Sequence, residues 1–224
     1  VYPEECSYLI ENIYLSLEYY LDYTFLKSGA TFEGPTYYRY GKYFLWPFVR
    51  GMQYTVGTDY NLIEVPGFYN SLYYIADMHN NKGILFNYSD SDETATVEAD
   101  FLYYCMKSGQ SDLAKYYVSE LFDETKLGPR SILNVMIYAD KSMFDNGYNL
   151  KNTNVYYENS IDVGVMRENW TDENATYAAF KTLKGYPFKS HEQLDHGTFV
   201  FDAMGERWVS DLGKEDYSAL SGTG

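Results

Sequence analysis

Two stretches of this sequence carry side chains suited to acid–base chemistry. The first is Glu33-Gly34-Pro35-Thr36-Tyr37-Tyr38-Arg39-Tyr40-Gly41. Its Gly-Pro pair fixes a turn, and the tyrosines that follow project from the start of a helix. Arg39, Lys42 and Arg50 set a local positive balance against Glu33. Nearby positive charge favours the ionised form of a phenol, the form a general base needs. The plainer reading is a tyrosine-rich helix start packing on its neighbours. The second stretch is Ser190-His191-Glu192-Gln193-Leu194-Asp195-His196-Gly197-Thr198-Phe199. His191, Gln193 and Asp195 alternate, so an extended backbone would turn all three to one face. That geometry suits a polar site, or a metal held by oxygen and nitrogen. The capping of a solvated strand fits the same residues equally well. The only other histidine is His79, and no His-x-x-x-His or His-Glu-x-x-His pair exists, which excludes a zincin-type centre. No Gly-x-Ser-x-Gly elbow, P-loop or dinucleotide fingerprint occurs.

The elements around these stretches change character along the chain. Ile10, Ile13, Tyr14, Leu17 and Leu21 recur at helical spacing, which predicts a helix from Pro3 to Phe25 that is closed by Gly29. Further helices are predicted over Pro35 to Val56, Gly67 to His79, Thr94 to Met106, Ser111 to Phe122 and Ser131 to Ala139. A short strand-like run spans Ile84 to Tyr88. Beyond Asn146-Gly147 the period falls to two, in Asn154 to Tyr157, Asp162 to Arg167, Tyr177 to Phe180 and Thr198 to Phe201. Turns such as Lys184-Gly185-Tyr186-Pro187 and Met204-Gly205 separate these runs. Helices followed by strands predict a segregated α+β architecture, not alternating βαβ units. The boundary is expected near residue 148, giving a helical domain over 1–148 and an antiparallel β domain over 149–224.

Composition limits the partners. There are 17 Lys plus Arg against 32 Asp plus Glu, a formal net charge of −15. That balance argues against wrapping nucleic acid, which rewards a basic surface. Aromatics make up 19% of the chain, with 27 tyrosines, too many for a disordered acidic protein. No run approaches the ~20 apolar residues of a membrane span. Cys6 and Cys105 form no ligand cluster and no disulfide framework, a single bridge being the most they allow. The acidic cluster from Asp90 to Glu93 reads as a solvated loop or helix start, since the ligand spacing of a calcium loop is missing. The chain begins at Val1 without Met and ends at Ser-Gly-Thr-Gly directly after a strand-like region. Both ends therefore read as internal to a longer protein.

The two stretches and their surroundings together resemble the heparinase II/III-like polysaccharide lyases. The resemblance is carried, in order, by Glu33-Gly34-Pro35-x-Tyr37-Tyr38-x-Tyr40-Gly41, Gly57-Thr58-Asp59-Tyr60 with Pro66-Gly67-Phe68, and Phe86-Asn87-Tyr88-Ser89-Asp90. Val165-Met166-Arg167 with Trp170 follows, then Ser190-His191-x-x-x-Asp195-x-Gly197-Thr198-Phe199, and last Gly205, Trp208 and Asp211-Leu212-Gly213. It implies a helical (α/α) toroid followed by an antiparallel β-sandwich, with this chain spanning the late toroid and the first sandwich strands. The implied chemistry is β-elimination on a uronic-acid glycan, heparin-like, heparan-sulfate-like or alginate-like. Tyr37 would take part in proton transfer and His191 would be its partner from the β domain. Tyr40 stands in for Tyr37 if the register differs, and Arg39, Arg167 and Glu33 are candidate substrate contacts. For Arg167, a structural ion pair within the sheet is an equal alternative. Some relatives bind zinc through a second histidine and a later aspartate. Gln193 and Asp211 occupy those positions here, and Gln is a poor zinc ligand, so zinc, calcium or no metal all stay open. The groups that neutralise the uronate carboxylate are expected upstream of Val1. Family habit places such a protein in the bacterial periplasm or at the cell surface. The competing readings are a non-catalytic carbohydrate-binding relative, with Tyr37, Trp46 and Trp170 as stacking platforms, and a glycoside hydrolase. The hydrolase needs two opposed carboxylic acids, and Glu33 is the only motif carboxylate to nominate.

Overall fold

The structure is a computed structural model that describes residues 2–94, 99–121, 129–145, 147–158, 161–183, 191, 193 and 195–215. It is an α+β chain in which helices come first and a sheet follows. Three longer helices open it: α1 (Pro3–Thr24), α2 (Gly34–Thr55) and α3 (Pro66–Met78). Each begins with a proline in its first turn, where the missing N–H has no helical partner to lose. Shorter helices follow: α4 (Ala99–Lys107), α5 (Ser111–Tyr116) and α6 (Pro129–Tyr138). A π-helical turn over Tyr117–Leu121 continues α5. A 3-10 turn over Lys141–Phe144 begins where Asp140 accepts the Ser142 amide at 2.8 Å.

Aromatic packing holds the helices together. Trp46 of α2 stacks on Tyr104 of α4 with centroids 4.4 Å apart, and Phe68 of α3 meets it edge-on at 4.8 Å. The richness in tyrosine has a physical use, since a buried ring fills the core while its hydroxyl ties a neighbouring backbone. Tyr38 donates to the Ser71 carbonyl at 2.5 Å, Tyr117 to the Leu72 carbonyl at 3.0 Å, and Tyr177 to the Asp77 carbonyl at 2.9 Å. Cys6 is exposed and Cys105 buried, and both are free thiols.

Five strands form one antiparallel sheet in sequence order: β1 (Asn154–Tyr157), β2 (Ile161–Arg167), β3 (Tyr177–Leu183), β4 (Phe199–Ala203) and β5 (Glu206–Val209). The period-two pattern sets its faces. Val163, Val165, Arg167, Tyr177, Ala179, Lys181, Val200 and Asp202 face the helices and are buried. Met166, Phe199, Phe201 and Trp208 lie exposed. β5 is not among the strands expected from sequence. Its turn, Met204-Gly205, has φ of 54° and 76°, the paired left-handed geometry of a tight hairpin.

Ile84 to Tyr88 is not a strand. Only Leu85 makes a bridge, to His79, while the Leu85 and Phe86 amides donate to Glu93 and Met78 carbonyls. Those bonds curl the segment into a loop beneath the sheet. The turn expected at Lys184 to Pro187, Ser190, residues 95–98 of the expected fourth helix and Phe122 lie outside the described residues.

Candidate active site

Tyr37 is placed by the first turn of α2. Gly34 has φ of +81°, and a Cβ there would lie 2.5 Å from Ser91 Oγ and 2.7 Å from the Tyr88 carbonyl oxygen. Only glycine lets the helix start press this closely on the 86–94 loop. The Thr36 amide, one of the orphan donors of a helix start, then donates to Ser91 Oγ at 3.3 Å. Thr36 Oγ1 in turn accepts the Asp92 amide at 2.9 Å.

The same loop holds His191 from its other side. His191 has φ of 60°, and its carbonyl accepts the Asp90 amide at 3.2 Å. Its Nδ1 lies 3.1 Å from Asp90 Oδ2, and Gln193 Nε2 donates to Asp90 Oδ1 at 2.9 Å. Asp195 Oδ2 accepts the Ser89 amide at 2.7 Å. The other oxygen of Asp195 pairs with Lys181, which also donates to Ser89 Oγ at 3.1 Å. His191, Gln193 and Asp195 therefore all reach one loop, as their alternation suggests, although the backbone at His191 is left-handed and not extended.

The two loops bring the candidate pair into contact. The rings of Tyr37 and His191 stack with centroids 3.5 Å apart and planes inclined by 12°. Tyr40, 62% exposed, meets the edge of Tyr37 at 6.2 Å. Glu33 is half-buried at the same helix start. Burial raises its carboxyl pKa, and a nearby His191 charge works in the opposite direction. Arg39 lies exposed on α2.

Several expectations are corrected by the side-chain geometry. Arg167 does not face a cleft. It is 5% exposed, and its guanidinium donates to the carbonyls of Ala76 (3.2 Å), Asp77 (3.1 Å) and His79 (2.9 Å) and to Asn81 Oδ1 (3.2 Å). It also lies over Trp170, 3.7 Å from the ring centroid. Its fork thus caps the C-terminal end of α3, where carbonyls are short of partners. Lys42 adds nothing to a positive field at Tyr37. It is buried among Phe25, Tyr38, Trp46 and Phe68, and donates to Ser71 Oγ at 2.9 Å. Arg50 lies over Tyr103. Asp90 is not a solvated acid but is buried against His191 and Gln193.

Gln193 and Asp211, the supposed metal positions, have polar atoms engaged within the protein. Gln193 turns its amide nitrogen to Asp90. Asp211 accepts from Thr198 Oγ1 at 2.5 Å and from the Gly213 amide at 2.7 Å, so its oxygens serve a turn. Among the described residues, no group of three or more His, Cys, Asp or Glu is arranged to hold a cation.

Sequence reasoning missed Lys214. It pairs with Asp92 at 3.0 Å, and that hydrogen bond chiefly holds its pKa above the usual lysine value, with Tyr37 and Asp90 adding to the effect. The available signal was its place directly after Asp211-Leu212-Gly213. Gly213 has φ of +73°, and a Cβ there would lie 3.0 Å from Asn87 Nδ2, which seats this turn against the 86–94 loop.

The same arrangement of helices and sheet is found in a known lyase. The structure of a heparan sulfate lyase HepC mutant from Pedobacter heparinus superposes with a TM-score of 0.58 over 93% of this chain, at 15% identity. The chain spans 30% of that lyase's length. At this identity the likeness shows a shared fold. No family model matches the chain, and no curated protein matches it in sequence. No helix among the described residues is long and apolar enough to cross a membrane.

Proposed function

We propose that this chain forms the junction of a polysaccharide lyase of the heparinase II/III-like type, acting on a uronic-acid glycan by β-elimination. The observation that carries this reading is the stack of Tyr37 on His191, because a phenol from the helical part and an imidazole from the sheet part meet through one shared loop. The fold shared with a heparan sulfate lyase supports it. On the same reading, residues 1–148 are the late part of an (α/α) toroid and residues 149–224 the first strands of a β-sandwich. The exposed apolar face of the sheet then suits a second sheet.

In such a reaction one base takes the C5 proton of the uronate, its electron pair forms the C4–C5 double bond, and the C4–O bond breaks onto the leaving oxygen. An acid then protonates that oxygen. Imidazole and phenol are both groups that move protons in general acid–base catalysis without a metal. His191 is assigned the C5 proton, and Tyr37 the leaving oxygen. Lys214 and the exposed edge of Tyr40 are nearby groups suited to an acidic sugar, the cation meeting its charge and the ring its apolar face, and Arg39, exposed on the same helix as Tyr40, is a further candidate cation.

The test is incubation of the full-length protein with heparin, heparan sulfate, alginate and chondroitin sulfate, followed by ultraviolet absorbance of the conjugated unsaturated uronate. Absorbance that grows with one glycan and is lost in Tyr37→Phe supports the reading. Binding without absorbance on every glycan replaces it with a carbohydrate-binding role.

A further inference from the structure

We infer that Asp90 is a positioning residue that holds His191 as the Nδ1–H tautomer and leaves Nε2 as its proton-accepting edge. The tautomer rests on the contact of Nδ1 with the Asp90 carboxylate; only its catalytic consequence rests on the lyase reading above. An ionised carboxylate can only accept hydrogen bonds, so a ring nitrogen facing it must carry the hydrogen. Nδ1 faces Asp90 Oδ2 at 3.1 Å. The bond on one ring nitrogen decides the state of the other, so Nε2 keeps its lone pair in the neutral ring.

The arrangement is specific. Asp90 Oδ1 is occupied by Gln193 Nε2 at 2.9 Å, which fixes the carboxylate plane and presents Oδ2 to the histidine. The Asp90 amide returns a bond to the His191 carbonyl at 3.2 Å, so the two residues clamp each other through main chain and side chain. The Tyr37 ring, 3.5 Å away, fixes the imidazole plane. Gln193 thereby acquires a role at a position where the resemblance suggested a metal ligand. The loop does not depend on Asp90 for its seat. Asp195 joins the Ser89 amide and Lys181 independently, so removing the Asp90 carboxylate should take away the acceptor facing Nδ1 without releasing the segment.

The experiment is ¹⁵N NMR of the imidazole nitrogens in the histidine-labelled full chain, at a pH where the rings are neutral. The chain has three histidines, so the His191 signals are identified by their loss in His191→Gln. The expected spectrum shows protonated Nδ1 and imine-type Nε2 for His191, with loss of that preference in Asp90→Ala. A wild-type His191 with protonated Nε2, or an Asp90→Ala spectrum unchanged from wild type, overturns the inference. The wild-type spectrum decides even if the variant does not fold. With an active lyase, Asp90→Ala should lower kcat about 10²–10³-fold with KM within about threefold, the share a positioned general base supplies. The expected tautomer in a protein that cleaves no glycan sustains the inference and removes the lyase reading. Cleavage by a protein with the opposite tautomer does the reverse.

Discussion

Arg167→Ala would strip the end of α3 of its cap. The guanidinium serves four oxygens: the carbonyls of Ala76, Asp77 and His79, and Asn81 Oδ1, at 2.9–3.2 Å. An acceptor left buried without a donor costs about 1–3 kcal/mol. Four such losses do not add in full, because the vacated space admits water and the desolvation of the arginine itself is relieved. Breaking a buried charged network by removing one member costs about 3–5 kcal/mol in general. We expect a loss of that size, read in urea unfolding as a lower midpoint at unchanged slope. Arg167→Lys should recover less than half of it, since one ammonium cannot reproduce a planar fork over several carbonyls. A loss below about 1 kcal/mol would refute the capping argument. If KM for a glycan rose at the same time, Arg167 would return to the role of substrate contact.

Other perturbations test other parts of the account. Asp77 is buried, and burial pushes its carboxyl up to about 6 despite Arg167 and the Tyr157 phenol, which donates to it at 2.5 Å. The folded state therefore holds a proton that the unfolded chain releases near pH 4. Stability should fall by on the order of 3 kcal/mol as pH rises from about 4 to 6, and Asp77→Asn should flatten that part of the urea-midpoint profile. Lys42 has the opposite sign, since burial drives its pKa well below the usual lysine value. The unfolded chain binds a proton that the folded one excludes, so stability rises with pH, and Lys42→Met should raise the melting temperature most in acid. Gly34→Ala should cost about 2–4 kcal/mol in urea unfolding, from a left-handed φ and overlap with the Tyr88 carbonyl. It should also separate the Tyr37–His191 stack.

The helices were legible because their signals are local. Ile10, Ile13, Tyr14, Leu17 and Leu21 mark one face, and prolines open α1, α2 and α3 where a first turn accepts them. The strands β1 to β4 showed in their alternation. β5 did not, because Glu206-Arg207-Trp208-Val209 is a short edge strand whose hairpin turn is a stronger mark than its own pattern. Tyr37 and His191 were legible as residues, while their contact was not, since it depends on the 86–94 loop approaching both. Asp90 and Arg167 illustrate the limit. In sequence, Asp90 lies in a run of small polar and acidic residues and looks solvent-facing, while Arg167 fits a substrate contact and a structural pair within the sheet equally well. Burial and hydrogen-bond partners far along the chain decide both roles.

The central claim is elimination at the Tyr37–His191 junction, and the composition of the cleavage products tests it most directly. Mass spectrometry of glycan digested by the full-length protein separates elimination from hydrolysis, because elimination adds no water across the broken bond. Elimination predicts new non-reducing ends lighter than a saturated uronate by one water, and loss of these products in Tyr37→Phe and His191→Gln. Cleavage products with saturated non-reducing ends would make the protein a hydrolase, and intact glycan would make it a binder.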